Sequence, residues 1–166
     1  ELPCMIRKVL ILKLTNLKKY ILDLNKLQKS YIHGDYYIDN ILNNEKKKII
    51  IDLDEISYFY SFYDVVRGAM KFGYNQDNRL DSIGDFIAEY MGESQTTDDY
   101  IEGIKLYIYM QLNDLYGLDK NIHIDNYDFI KEKYEQTKWL IKNKKKLIRK
   151  VGEKYESKVS SSSNSI

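Results

Sequence analysis

The chain has 166 residues, 26 of them basic and 25 acidic, for a formal net charge of +1. That length allows one domain with a real core, and the charge balance argues against a dedicated nucleic-acid-binding domain. The single cysteine, Cys4, excludes an internal disulfide and a cysteine-based zinc cluster. No apolar run approaches the length of a membrane span. Lys8 and Lys13 flank the short VLIL stretch, so the N-terminus lacks a clean signal peptide. The expectation is a soluble, cytoplasmic protein with neither nucleic acid nor membrane as partner. Pro3 is the one proline, which suits a helix-rich chain because proline breaks helices.

In chain order, residues 8–29 predict a helix, with Leu10, Leu14, Leu17, Ile21, Leu24 and Leu27 at spacings of three and four. Residues 40–42 and 48–53 are short apolar runs separated by the polar NNEKK, the pattern of a β-hairpin. Four helical patterns follow. Val65, Val66, Ala69, Met70 and Phe72 mark the first, and residues 79–91 the second, with Leu80, Ile83, Ile87 and Met91 on one side. Residues 98–116 form the third, preceded by Thr96-x-x-Asp99, a capping box weakened by Asp in place of Glu or Gln. The last starts near Asn126 and carries Ile130, Tyr134, Ile141, Ile148 and Val151. The fold class is therefore α+β, mainly helical, in a single domain over residues 1–156. Residues 157–166, SKVSSSSNSI, have no apolar period and read as a disordered tail.

The chemistry concentrates in YIHGDYYIDNIL, residues 31–42. Tyr31, Ile32, Ile38, Ile41 and Leu42 are expected to anchor this segment in the core. Asp35 and Asn40 stand five residues apart on a loop entering a strand, and Asp52 ends the strand that the hairpin returns beside Asn40. Mg²⁺ takes oxygen ligands and keeps several waters, so one or two protein carboxylates suffice to hold it. A further carboxylate can accept the proton of an attacking hydroxyl. One carboxylate beside an Asn–carboxylate pair thus points to Mg-dependent phosphoryl transfer. Asp39 reads as a solvated loop acid, and His123 has no partner nearby in sequence.

The pattern H-x-D-x-x-x-x-N, followed by an apolar strand ending in Asp, resembles the catalytic core of kinase-like phosphotransferases. HGD rather than HRD, with IDLD after it, looks like the aminoglycoside phosphotransferase and choline kinase-like superfamily. FYDVVRGAMKF and FIKEKYEQTKWLIKN are similar to later helices of that superfamily, so the likeness spans roughly residues 20–150 with its specific part at 33–64. The resemblance implies the C-terminal lobe of the protein kinase-like fold, with a small catalytic-loop hairpin. It implies ATP and Mg²⁺ as cofactors and a small-molecule hydroxyl as acceptor. Asp35 would be the catalytic base, and Asn40 and Asp52 the Mg²⁺ ligands and nucleotide-site residues. His33, Gly34 and Asp64 would support the loop. Asp54 is ambiguous, either a loop acid without a role in the chemistry or a contact to a second metal or the substrate.

The chain carries no G-x-G-x-x-G and no strand with a V-A-I-K-like lysine. It therefore reads as the C-terminal lobe alone, lacking the N-terminal nucleotide lobe and inactive by itself. Its cleft would be open to that lobe or to a protein partner. The alternative reading is a non-catalytic binding module that keeps the scaffold, such as a pseudokinase or spore-coat-type protein. Charge is also unevenly spread, with a net −7 over residues 77–102 and +7 over residues 131–158. Asp77, Asp81, Asp85, Glu89 and Glu93 recur every four residues. They read as a solvated helix face, as a mate for the basic block, or, at Asp85 and Glu89, as a wall for a cationic substrate.

Overall fold

The computed structural model describes residues 2–16, 19–20, 22–44, 47–91, 96–119 and 127–163. Helix α1 (Leu2–Asn16) is followed by a 3₁₀ turn (Leu24–Lys26), strand β1 (Lys29–Ile32), a second 3₁₀ turn (Ile38–Asn40) and strands β2 (Ile41–Asn43), β3 (Lys48–Ile50) and β4 (Ser57–Tyr60). Helices α2 (Ser61–Gly73), α3 (Arg79–Tyr90), α4 (Thr97–Asp119) and α5 (Tyr127–Ser163) complete the chain. The result is mainly helical with two small antiparallel sheets, within the expected α+β class.

Helix α2 is the hub. Phe62, Val65, Val66, Ala69 and Met70 are all buried, a spacing that gives one wide apolar stripe. It meets Ile83 and Ile87 of α3, Ile104 and Ile108 of α4, and Leu140 and Leu147 of α5 in one core. A smaller cluster joins Met5 and Val9 of α1 to Leu115, Ile130 and Tyr134. The α4 start forms one half of the expected capping box: Asp99 Oδ2 accepts the Thr96 N–H at 2.7 Å and the Thr96 hydroxyl at 3.0 Å, while the Asp99 N–H bonds the Thr96 carbonyl at 3.1 Å.

The first predicted helix is corrected. It ends at Asn16 rather than near residue 29, because side chains take over its last carbonyls. Thr15 Oγ1 donates to the Ile11 carbonyl at 2.7 Å and Asn16 Nδ2 to that of Leu12 at 2.8 Å, a competition that favours helix ends. Leu17 and Ile21 lie outside the described residues. Leu24 falls in a 3₁₀ turn, and Leu27 is buried in the main core.

The predicted hairpin is present as β2 and β3, with Ile41 opposite Ile50 and Asn43 opposite Lys48. The second pair, β1 with β4, runs from Lys29 opposite Tyr60 to Ile32 opposite Ser57. Of the five apolar residues expected to anchor this region, Ile32 is buried and Ile41 half-buried, whereas Tyr31, Ile38 and Leu42 are exposed. The hairpin stands off the helical body, and Leu42, Ile49, Ile50, Leu53 and Ile56 are likewise exposed.

Helix α5 extends through Ser163, so the expectation of a disordered tail from residue 157 is corrected as far as that residue. A charge ladder ties this part of α5 to α3 as far as Lys158. Asp81, Asp85 and Glu89 of α3 pair with Lys150, Lys154 and Lys158 of α5, the latter two at 3.0 and 3.4 Å. The constant offset makes the two helices parallel here, with every rung one helical turn from the next. Glu93 and residues 164–166 lie outside the described residues.

Candidate active site

The catalytic-loop candidates are positioned by α2. Asp64 accepts the His33 N–H on Oδ2 at 2.9 Å and the Gly34 N–H on Oδ1 at 3.2 Å. A carboxylate taking two backbone N–H bonds fixes both loop position and peptide orientation. Gly34 has φ +80°, where an added Cβ would also run into the Glu55 carbonyl oxygen, so only glycine fits without strain.

His33 ties the loop to the strand that ends beside Asp52. Its Nε2 lies 2.9 Å from the Ile51 carbonyl, and its Nδ1 accepts the Asp35 N–H at 3.3 Å. Both bonds are satisfied by the neutral ring protonated on Nε2. The hairpin adds the Ile51 N–H donating to the Asn40 carbonyl at 2.9 Å. Asn40 is buried, and its Nδ2 donates to the Asp35 carbonyl at 2.9 Å and to Asp35 Oδ2 at 3.3 Å. Among the described residues no donor reaches Asn40 Oδ1, leaving a buried amide oxygen available.

Asp52 has φ +62°, the one non-glycine residue with positive φ among those described. It is exposed, and none of the described residues donates to its carboxylate. The structure therefore joins Asp35, Asn40, His33, Gly34 and Asp64 in one hydrogen-bonded unit, with Asp52 one residue beyond the Ile51 link. Asp54 sits in the exposed turn after β3, next to Glu55, whose backbone lies against Gly34, and Asp39 is exposed as expected. His123 lies outside the described residues.

The sequence reading missed Arg67. Its guanidinium pairs with Asp35 Oδ1 at 2.6 Å. Burial opposes the Arg67 charge, but Tyr63 and Asp35 outweigh it and hold its pKa above the ordinary value. The signal was available: Asp64, Arg67 and Lys71 are spaced three and four apart, so they share the α2 face that already turns Asp64 toward the loop.

Two cavities flank the loop. The first, about 820 Å³, is mostly apolar and lined by His33, Tyr36, Asp64 and Phe86, with Asp85 and Glu89 also in its wall. Both of those carboxylates are already paired with α5 lysines. Asp35 lies in the wall of the second cavity rather than of this one. The second, about 400 Å³, has Asp35 in its wall with Arg67, Lys71, Gln111 and Lys133. Burial pushes the Tyr107 phenol well above its ordinary pKa, keeping a proton donor in this wall.

Hard oxygen donors suit Mg²⁺, and the free buried oxygen of Asn40 with the unpartnered carboxylate of Asp52 fits such an ion. Among the described residues no three His, Cys, Asp or Glu side chains cluster as a metal site. No described helix is long and apolar enough to cross a membrane.

The sequence model of the phosphotransferase enzyme family matches residues 7–92, from α1 to the end of α3, and includes the whole catalytic-loop segment. No curated relative and no solved structure matches the chain.

Proposed function

Because the chain belongs to the phosphotransferase enzyme family, we propose that it transfers the γ-phosphoryl group of ATP to a hydroxyl of a small molecule, on the C-terminal lobe of a kinase-like fold. The observation that carries this reading is the hydrogen-bonded unit of Asp35 and Asn40, held on α2 through Asp64. In this reading Asp35 accepts the proton of the acceptor hydroxyl. The hydroxyl oxygen forms a bond to the γ-phosphorus as the bond to the ADP leaving oxygen breaks. Asn40 and Asp52 would hold Mg²⁺, which supplies positive charge against the phosphates. The backbone bonds to Asp64 keep Asp35 oriented without reorganisation during transfer, and His33 keeps the Asp52 strand in register with the loop.

The chain has no glycine-rich phosphate loop in its 166 residues, so in this reading these residues alone grip ATP weakly and turn over slowly. Exposed apolar residues on the hairpin favour a covering partner or segment at that face. They also support the second reading, an interaction module that does no chemistry.

The experiment has two readouts. Mn²⁺, a paramagnetic stand-in for Mg²⁺, should broaden the NMR signals of Asn40 and Asp52, and Asp52→Asn should abolish the effect. With labelled ATP and an acceptor panel, Asp35→Asn should lower transfer by about 10²–10⁴-fold, the scale of general-base catalysis. Undiminished transfer in that variant removes Asp35 from its role. No Mn²⁺ effect and no transfer leave the interaction module.

A further inference from the structure

Resting on the phosphotransferase reading, we propose that the acceptor carries an anionic group, a carboxylate or a phosphate, and binds in the 400 Å³ cavity beside Asp35. Three cationic side chains from two helices converge there: Arg67 and Lys71 from α2, and Lys133 from α5. Arg67 is paired with Asp35, and Lys133 with Asp114 at 3.1 Å. Lys71 lies 4.9 Å from the centre of the Tyr37 ring, and no described carboxylate pairs with it. Lys71 is an exposed residue at the cavity's wall, and a lysine on an aromatic face without a counter-charge is a ready partner for an anion. Lys71 stands one helical turn beyond Arg67, so an anion on it lies one turn from the residue that holds the base candidate.

The remaining wall provides neutral recognition. Gln111, Gln136 and Tyr107 supply amide and phenol groups that can reach hydroxyls. The carboxylates of this wall do not favour a cation. Asp35 is already neutralised by Arg67, and Glu132 accepts from Gln136 Nε2 at 2.8 Å at the exposed edge. The wall contributed by α4 and α5 also lies outside the region that the family model matches, which ends at residue 92. A cationic acceptor drawn to Asp85 and Glu89 would occupy the other cavity, which Asp35 does not line.

The test is titration of the full chain, followed by NMR, with three probes that each offer a free hydroxyl: glycerol 3-phosphate, glycerol and choline. Glycerol 3-phosphate should shift the signals of Arg67, Lys71 and Lys133 and bind at least tenfold more tightly than glycerol or choline. Lys71→Gln should weaken it at least tenfold and Lys71→Arg should largely restore it, with the far-ultraviolet circular dichroism of both variants unchanged. Choline binding as tightly, glycerol 3-phosphate binding no better than glycerol, or an unaffected Lys71→Gln variant each overturns the proposal. So does ATP alone, if it produces the same shifts and loses them in Lys71→Gln, because the charge then serves the nucleotide. Anion binding without Mn²⁺ binding or transfer sinks the phosphotransferase reading and leaves the cavity assignment standing. Transfer to choline does the reverse.

Discussion

Asp52 offers the sharpest separation of stability from function. Its backbone sits at φ +62°, a left-handed conformation that costs a residue with a Cβ roughly 1–2 kcal/mol. Asp softens that cost when its side chain bonds locally, but no described donor meets this carboxylate. Glycine relieves the strain while adding about 0.5–1 kcal/mol of unfolded-state entropy. Asp52→Gly should therefore be about as stable as the parent or ~0.5–1 kcal/mol more stable, and Asp52→Ala about 1 kcal/mol less stable than Asp52→Gly. With a urea dependence of roughly 2 kcal/mol per molar, the Gly and Ala variants should differ by about 0.5 M in midpoint. Both should lose the Mn²⁺ effect at Asn40. Equilibrium urea unfolding with the Mn²⁺ titration checks both halves. If Asp52→Gly unfolds before Asp52→Ala, the strain argument is wrong. Retention of the Mn²⁺ effect would remove Asp52 from the ion site.

Asp64→Ala strips the acceptor from the His33 and Gly34 N–H groups, which should cost about 2–4 kcal/mol in a half-buried setting. Asp64→Asn, which keeps one acceptor oxygen, should cost about half of that, and hydrogen exchange at Gly34 should quicken in both. Gly34→Ala meets positive φ and the Glu55 backbone together and should cost at least about 1–2 kcal/mol, read from the thermal midpoint. Ile104, fully buried in α4, should cost about 2–5 kcal/mol as Ala. The α3–α5 ladder predicts a pH window. A hydrogen bond from Lys150 holds the Asp81 carboxyl below its ordinary value of 3.8, and the same bond holds the Lys150 ammonium above 10.5. The Asp81 share of stability is present above pH 3.8 and is lost as pH falls through its depressed folded value. The Lys150 share is present below pH 10.5 and is lost as pH rises through its raised one. Lys150→Met should flatten the acid limb of the melting-temperature profile below pH 3.8, since the Asp81 carboxyl then loses the main cause of its lowered pKa.

Helices α2 to α5 were legible because each buries one stripe, and the stripe is written at spacings of three and four. The grouping of the candidate loop was legible because its polar residues fall in one stretch, 33–40, with a short hairpin directly after it. The β1–β4 pair was not. Its strands are separated by the loop and hairpin, and the burial of β1 is confined to Ile32, so no alternation announces it. Tyr31, Ile38 and Leu42 were placed inside on hydrophobicity, which does not distinguish a segment packed on a core from an exposed two-stranded ribbon, as at Tyr31 and Leu42, or an exposed 3₁₀ turn, as at Ile38. Arg67 escaped because its partner, Asp35, is remote in sequence. The face that brings them together is visible only once Asp64 is seen to point at the loop.

The basic block of α5 has two separate jobs, and its net charge conceals both. Lys150, Lys154 and Lys158 spend their charge on α3, rung by rung. Exposed pairs of this kind contribute little to stability, so the ladder sets register more than stability. Lys133, four turns or more earlier, faces the cavity beside Asp35 instead. Because α5 is one continuous helix from Tyr127 to Ser163, the register fixed by the ladder also fixes where Lys133 stands. A shift of one residue at the ladder would rotate Lys133 by about 100° and take its ammonium out of the cavity. The acidic repeat on α3 therefore bears on the acceptor without touching it, by holding the helix that carries one wall of its site.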